Sequence, residues 1–241
     1  MAKHPVLVRA GTLVTGGLLL AGLVAVPVAS ATAKPATKPS PSFLAEYDAF
    51  PATVTSVVAT ITLPAYTCKK GENLGPGDGT YDQTNSAFSG PYIYVGCTKV
   101  GRKYKPLYGA TGLEVDGVFT FPTLAMTAGD QVEFTTTCGG SGSLVSIEDL
   151  NTSNTVSASS PNPSSCTDAS VGDSGIVGTG PGGQARLPKF GAIDFTNVTV
   201  NGSPIGSFSP VAENYYEGKK YQIIVGPLTD GGTAFTTTQK K

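Results

Sequence analysis

A pair of neighbouring carboxylates offers the clearest possibility of chemistry in this sequence. Glu114 and Asp116 are two positions apart in a strand-like run, so both side chains point to the same face. Paired carboxylates can act as general acid and general base in hydrolysis, and that chemistry needs no histidine. A solvated sheet face carries the same pattern without any reaction, so both interpretations stay open.

A second motif suggests a serine nucleophile. Gly172-Asp173-Ser174-Gly175 spells GDSG, the sequence around the nucleophile of chymotrypsin-like proteases. Such a serine needs a base to take its proton, and imidazole is the usual one. The only histidine, His4, lies in a segment that we expect to be removed. We therefore predict that this motif is a turn in a glycine-rich loop.

Tyrosines on one strand suggest a binding face. Tyr92 and Tyr94 share one side of their predicted strand, while Ile93 and Val95 share the other. Tyrosine rings on an exposed sheet can stack on sugars or on peptide side chains. They also suit a partly buried sheet face whose hydroxyl groups reach water, and the sequence does not exclude that alternative.

The four cysteines predict disulfides rather than a metal site. In an oxidising compartment an even number of cysteines implies disulfides, with three possible connectivities. We favour Cys68–Cys97 and Cys138–Cys166, because each pair closes a local excursion between strand-like runs. The sequence has no CxxC and no other histidine, which argues against zinc, and we predict neither a metal nor a cofactor.

Calcium is a minor alternative. The segment GENLGPGDGTYD contains Glu72, Asp78 and Asp82, whose carboxylates could bind calcium together with loop carbonyls. Their spacing does not match that of an EF-hand loop.

The first 33 residues have the composition of a secretory signal peptide. Residues 1–10 carry basic side chains and no acid, and residues 11–28 are uncharged and mostly apolar. Ala31-Thr32-Ala33 offers a small-x-small cleavage pattern. A membrane anchor is the rival interpretation, but the glycines and the small-residue end favour cleavage. We expect a secreted protein that is not attached to a membrane after cleavage.

The remaining sequence predicts a linker and one folded domain. Residues 34–52 are rich in proline and polar residues, and residues 53–241 form the expected domain. The formal net charge of the full sequence is −1, without any long run of one sign. This charge distribution does not suggest nucleic acid or an anionic membrane as a partner.

Hydrophobic alternation predicts an all-β fold that would hold these residues in place. In Ser56–Pro64, apolar residues at every second position face small and hydroxyl residues, as in a half-buried strand. Turn signals such as Asp116-Gly117 and Asn201-Gly202 separate the runs. The pattern predicts an antiparallel β-sandwich of two sheets. The other strand-like runs are Tyr92–Cys97, Gly112–Asp116, Val118–Phe121, Gln131–Thr137, Ser143–Glu148, Gly191–Val200, Tyr221–Val225 and Ala234–Thr238.

The order of several segments resembles the glutamic peptidase (eqolisin) family. The resemblance covers residues 56–200, and its most specific part is FGAIDFTN at residues 190–197. Tyr94-Val95-Gly96 is similar to the family's Trp-Val-Gly, and Ala128-Gly129-Asp130 is similar to its Ala-Gly-Asp. The resemblance implies a secreted, concanavalin-like sandwich of the kind that these acid-active endopeptidases share.

The same resemblance places unusual residues at the family's catalytic positions. The family uses a glutamate as general base toward water and a glutamine that stabilises the oxyanion. At these positions the chain has Ser170, within Ala169-Ser170-Val171-Gly172, and Ala110, before Thr111-Gly112. Loss of one oxyanion donor commonly costs about 10²–10³ in rate, so the standard mechanism is not expected.

We therefore expect a non-catalytic or weakly active sandwich. It would bind an extracellular peptide or polysaccharide on a sheet face bearing Tyr92, Tyr94, Glu114 and Asp116, with Ala110 on the same face. One alternative is an active acid endopeptidase with relocated carboxylates, in which Asp173 or the Glu114/Asp116 pair is the base. Another alternative is a structural protein of the cell envelope.

Overall fold

The protein is built almost entirely from antiparallel strands. The computed structural model describes residues 45–82, 87–114, 117–119, 121–139, 142–160, 166–174, 186–217 and 220–240. The strands form two sheets, one of seven strands and one of nine, which pack face to face around one hydrophobic core. The predicted all-β, two-sheet sandwich is confirmed.

The seven-stranded sheet has the strand order β13-β1-β10-β3-β4-β5-β6. Its long central strands lie next to each other, and two short strands form the edge beyond β10. The strands are β1 (Glu46–Ala49), β3 (Asn73–Asp82), β4 (Ala87–Val100), β5 (Lys103–Glu114), β6 (Gly117–Phe119), β10 (Asp168–Ser174) and β13 (Val211–Glu213).

The nine-stranded sheet has the order β14-β15-β16-β11-β2-β7-β8-β9, with β12 paired to β11. Its strands are β2 (Ser56–Thr62), β7 (Gln131–Gly139), β8 (Gly142–Asp149), β9 (Asn154–Ser160), β11 (Ala192–Val200), β12 (Ser203–Pro204), β14 (Tyr215–Glu217), β15 (Lys220–Val225) and β16 (Phe235–Gln239). Two short 3₁₀ helices, Ile205–Phe208 and Asp230–Gly232, connect strands of this region. Across the described ranges, no helix has the length and apolar character needed to span a bilayer.

Alternating side chains from both sheets form the core. Val57, Ala59 and Ile61 of β2 are all buried, as their spacing predicted. Tyr47 of β1 packs edge-on against Phe235 of β16 with a ring-centre distance of 4.9 Å, so the rings join the two sheets. This contact fixes β1 on the core and thereby sets the direction of the residues beside Tyr47.

Two disulfides fasten the sandwich, and they have the favoured connectivity. Cys68 is bonded to Cys97, and Cys138 is bonded to Cys166. The first ties the segment before β3 to the central strand β4. The second ties the end of β7 to the start of β10, so each sheet has a covalent link to a neighbouring loop.

Three segments differ from their predicted structure. Residues 46–49, predicted as linker, form β1, and its pairing with β10 and β13 places the start of the domain before Thr53. GENLGPGDGTYD, considered as a calcium loop, mostly forms β3 in the middle of a sheet. Residues 172–174 of the GDSG motif are strand rather than turn, and Gly175 lies outside the described residues. Residues 1–44 lie outside them too, so the signal peptide stays a prediction.

Candidate functional site

The seven-stranded sheet has one face on the core and one face turned away from the other sheet. We call the second one the outer face. In β4, Ile93 and Val95 point into the core and are fully buried, so Tyr92 and Tyr94 lie on the outer face. In β10, Ala169 and Val171 are the core residues, which places Ser170 on the outer face as well. The alternation predicted for the tyrosines is therefore correct.

The register between β4 and β5 decides which of their residues are neighbours. Tyr92 pairs with Thr111, and Tyr94 pairs with Gly109. Ala110 pairs with Ile93 and packs against the core. The expectation that Ala110 shares a face with Tyr92 and Tyr94 is thus wrong, because directly paired residues lie on the same side of a sheet. Thr111 is the β5 residue that stands beside Tyr92 on the outer face.

The side chains of the predicted carboxylate pair, Glu114 and Asp116, lie outside the described part of the structure. Glu114 is the last residue of β5, where it pairs with Gly117. Its side chain and the whole of Asp116 lie outside the described residues. Their participation in a ligand face stays a prediction.

A different group of carboxylates lies on the outer face at the edge of this sheet. Glu46 and Asp48 belong to β1, Glu213 belongs to the edge strand β13, and Glu46 pairs with Glu213. Their carboxylate oxygens lie within 4.8 Å of one another, so the three could share one cation. We call these three residues the acidic cluster. In the described part of the chain, no lysine or arginine forms an ion pair with any of them.

The acidic cluster reaches the position at which the resemblance places the family's glutamate. Asp48 pairs directly with Ser170, and the Ser170 hydroxyl donates a hydrogen bond of 2.5 Å to Asp48 Oδ1. The neighbouring strand β1 therefore places a carboxylate within hydrogen-bonding distance of Ser170.

Burial and mutual repulsion change the acidity of the cluster. The pKa of Asp48 is raised to about 7: burial raises it most, the charges of Glu213 and Asp168 also raise it, and the hydrogen bond from the Ser170 hydroxyl offsets part of the increase. The pKa of Glu46 is also raised well above its ordinary value, first by burial and then by Asp48 and Glu213. Asp48 therefore changes its charge near neutral pH.

Glycines separate the acidic cluster from the tyrosines. On the outer face, Gly172 pairs with Gly77, Gly77 pairs with Tyr92, and Ser170 pairs with Gly79. We call Gly77, Gly79 and Gly172 the glycine strip. A Cβ atom on Gly172 would lie 2.6 Å from Glu46 Cα. Glycine thus allows the close approach of β1 and β10 that joins Asp48 to Ser170.

The outer face is accessible to different degrees along its width. Ser170 and Tyr92 are 8% and 6% exposed, whereas Tyr94 and Thr111 are half-buried and Leu107 is 57% exposed. The Thr111 side chain also hydrogen-bonds the Tyr92 hydroxyl and lowers its pKa, which burial raises. The site thus has an acidic end and a more open end that carries tyrosine and leucine.

Asp173 does not belong to the outer face. It is fully buried between the two sheets, and neither of its oxygens has a hydrogen-bond partner. Burial raises its pKa to about 7, and the nearby Thr237 hydroxyl of the opposing sheet offsets only part of this effect. Asp173 is therefore not available to act on a substrate, contrary to the relocated-base alternative that named it.

The calcium alternative is not supported either. Asp78 points into the core, where its Oδ1 accepts a hydrogen bond of 2.9 Å from Thr136 Oγ1. Glu72 is outside β3 and accepts a bond from the backbone N–H of Lys69. The two carboxylates therefore do not face a common ion, and the side chain of Asp82 is outside the described residues.

Comparisons with known proteins identify the family and agree with the fold. The model of the peptidase A4 family matches residues 45–221. A search of curated proteins finds no significant match. The structure of scytalido-glutamic peptidase with a peptide-based transition-state analogue is similar, with a TM-score of 0.64 and 17% identity. That similarity covers 83% of this chain and 99% of the other.

Two further solved structures share the fold. SCP-B, an eqolisin family member in complex with the tripeptide Ala-Ile-His, has a TM-score of 0.59 and 15% identity over 83% of this chain and 99% of that one. Aspergilloglutamic peptidase from Aspergillus niger has a TM-score of 0.55 and 16% identity over 70% and 99% of the two chains. At these sequence identities, the structural similarity shows the fold alone. The family is shown by the match of the family model over residues 45–221. The chain belongs to the peptidase A4 family of glutamic peptidases.

Proposed function

We propose that the protein binds extended polypeptides across the outer face of its seven-stranded sheet, and that it does not perform the family's glutamine/glutamate reaction. The observation that carries this proposal is the replacement of both groups. Ser170 stands where the resemblance places the family's glutamate, and Ala110, where the resemblance places the glutamine, packs against the core. The face keeps polar and aromatic groups without that pair.

The charge of the site favours a particular class of peptide. The three carboxylates of the acidic cluster lie within 4.8 Å of one another and lack a cationic partner among the described residues. A lysine or arginine side chain of a ligand would relieve their mutual repulsion. At the other end, Tyr94 and Leu107 offer contact area for an apolar side chain.

The distance between the two ends sets the length of the ligand. Three strand spacings separate β1 from β4, which is about 15 Å. An extended peptide covers that distance with about five residues. Between the ends lies the glycine strip, whose three residues are buried and carry no side chains.

The proposal places the protein outside the cell. Two disulfides support this location, because such bonds persist in oxidising compartments and are rare in the cytosol. The tripeptide in the SCP-B complex and the peptide-based analogue in the scytalido-glutamic peptidase structure are ligands of the kind proposed for this chain.

Calorimetric titration with matched peptides tests the proposal. We expect acetyl-Lys-Ala-Thr-Ala-Thr-Phe-amide to bind about fivefold more tightly at pH 7.5 than the same peptide with glutamine for lysine. The glutamate peptide should bind more weakly still. Lowering the pH from 7.5 to 5 should weaken the lysine peptide, because Asp48, whose pKa is raised to about 7, then loses its charge.

Two variants test whether the preference for the lysine peptide arises from the acidic cluster. Glu213→Gln should weaken the lysine peptide about two- to fivefold and leave the glutamine peptide unchanged. Asp230→Asn, on an exposed turn distant in sequence from the acidic cluster, is the control and should change neither. Equal affinity for the three peptides would contradict the proposal. So would binding of neutral oligosaccharides in place of peptides.

A further inference from the structure

The bond between Ser170 and Asp48 joins a potential nucleophile to a potential base. The Ser170 hydroxyl donates to Asp48 Oδ1 at 2.5 Å, across directly paired residues of β10 and β1. A hydroxyl group becomes a useful nucleophile when a base within hydrogen-bonding distance can take its proton. The pair therefore has the first requirement of covalent catalysis, and this does not depend on the family's own mechanism.

The backbone holds both side chains in position. Tyr47 and Ala49 flank Asp48 in sequence and are buried in the core, as are Ala169 and Val171 on either side of Ser170. Because neighbouring residues of a strand point to opposite faces, these four anchors direct Asp48 and Ser170 outward. The contact thus rests on strand pairing and core packing rather than on loop conformation.

The surroundings of the pair suit a base that works near neutral pH. Glu46, Glu213 and Asp168 are the charged groups that act on this pair, and each is an acid. Burial, together with the charges of Glu213 and Asp168, raises the pKa of Asp48 to about 7, so the carboxylate both accepts and returns a proton readily near that pH.

Ser170 has two residues of the glycine strip beside it on the outer face. Its partner on β3 is Gly79, and Gly172 follows two residues later on the same face. Neither glycine carries a side chain, and both are buried. Farther across the sheet, the hydroxyls of Tyr92 and Thr111 lie on the same face as Ser170.

We infer that Ser170 is the nucleophile and Asp48 the general base of an acyl-transfer site that cleaves peptide or ester bonds of chains bound on the outer face. The inference rests on the proposed function, because the bound polypeptide is the acyl donor. It goes beyond that function, since binding alone requires no reaction.

The reaction proceeds in two balanced halves. Ser170 Oγ forms a bond with the carbonyl carbon while its proton moves to Asp48, and the electron pair of the C=O bond moves to the oxygen. Collapse of this intermediate breaks the bond to the leaving amine or alcohol, which receives the proton from Asp48. Water then attacks the acyl-serine in the same way, with Asp48 as base, and releases the acid and free Ser170.

Covalent labelling tests the inference. The purified protein is incubated with a small alkyl fluorophosphonate between pH 5 and 9, and its intact mass and labelled peptide are measured. We expect one adduct, on Ser170, formed at a rate that rises with pH through about 7. The Ser170→Ala variant should form no adduct. In the Asp48→Asn variant, the labelling of Ser170 should be slower by a factor of about 100 or more.

Controls separate chemistry from folding. Asn keeps the shape of Asp48 and can still accept the Ser170 hydrogen bond, so the variant should melt cooperatively like the parent protein. Ser207→Ala removes an exposed serine on a 3₁₀ helix and should be labelled like the parent. If either site variant does not fold, the pH dependence of labelling in the parent protein still decides the matter.

The outcomes distinguish this inference from the proposed function. Absence of an adduct at every pH, or an adduct that persists in Ser170→Ala, overturns the inference. A labelling rate that stays constant through pH 7 overturns the role of Asp48. If the lysine peptide binds while no adduct forms, the inference fails alone. If the protein neither binds the lysine peptide nor forms an adduct, the inference and the proposed function both fail.

Discussion

Asp173→Asn should stabilise the protein at pH 7.5 by as much as about 4 kcal/mol. The pKa of Asp173 is raised from its ordinary value of 3.8 to about 7 in the folded protein. Between these pH values the unfolded chain has released this proton while the folded chain keeps it. Stability therefore falls as pH rises from about 4 to about 7, and about three pH units correspond to about 4 kcal/mol.

Asparagine removes this dependence because it carries no charge at any pH. At pH 4, Asp173 is protonated in the folded protein and about half protonated in the unfolded chain, so the variant should differ little from the parent protein. Urea unfolding at pH 4 and 7.5 measures both effects, with Asp230→Asn on an exposed turn as control. An equal change at both pH values, or no gain at pH 7.5, would contradict the buried, unpartnered position of Asp173.

Removal of the Cys68–Cys97 disulfide should cost about 3–4 kcal/mol of stability. The two residues are 29 apart in sequence, and a crosslink of this length restricts the unfolded chain by about that amount. The double variant Cys68→Ala/Cys97→Ala should unfold at a lower urea concentration than the parent protein. The measurement is made at pH 5, where the buried acids with raised pKa values are protonated in the folded protein and stabilise it. The double variant should keep the fold, because Cys138–Cys166 and the core remain.

Thr98→Ala is a suitable control for that variant, since it changes an exposed neighbour of Cys97 without altering the crosslink. Its urea midpoint should stay close to that of the parent protein. A double variant that loses less than about 1 kcal/mol would show that the crosslink does not restrict the unfolded chain as expected.

The sequence predicted those parts of the fold that rely on hydrophobic alternation. Val57, Ala59 and Ile61 are buried as their spacing indicated, and Tyr92 and Tyr94 are opposite Ile93 and Val95. Both disulfides have the favoured pairing. In each case the information is local, because one strand or one short loop determines the outcome.

Strands rich in glycine, proline or charge were missed for a physical reason. β3 reads NLGPGDGTYD, a composition typical of loops, yet Gly77 is required in a strand here. A Cβ on Gly77 would come within 2.7 Å of Tyr92 Cβ. β1 is only four residues long with two acids, so its sequence resembled the linker before it. Pairing with β10 and β13 makes it a strand.

The candidate site could not be predicted because it is assembled by topology. Glu46, Asp48, Ser170 and Glu213 come from three strands that are distant in sequence and neighbouring in space. The register of β4 and β5 likewise decides that Thr111 rather than Ala110 joins Tyr92. The spacing of residues along the sequence indicates neither the acidic cluster nor the pairing of Thr111 with Tyr92. Only the family resemblance drew attention to Ser170.

Amide chemical shifts test the central claim most directly, that the outer face of the seven-stranded sheet is a polypeptide-binding surface. Titration at pH 7.5 with acetyl-Lys-Ala-Thr-Ala-Thr-Phe-amide is expected to shift the amides of Asp48, Ser170, Tyr94 and Thr111. Glu213→Gln should reduce the shifts at the acidic end. Shifts confined to the nine-stranded sheet, or no shifts at millimolar peptide, would contradict the claim that the outer face binds polypeptides.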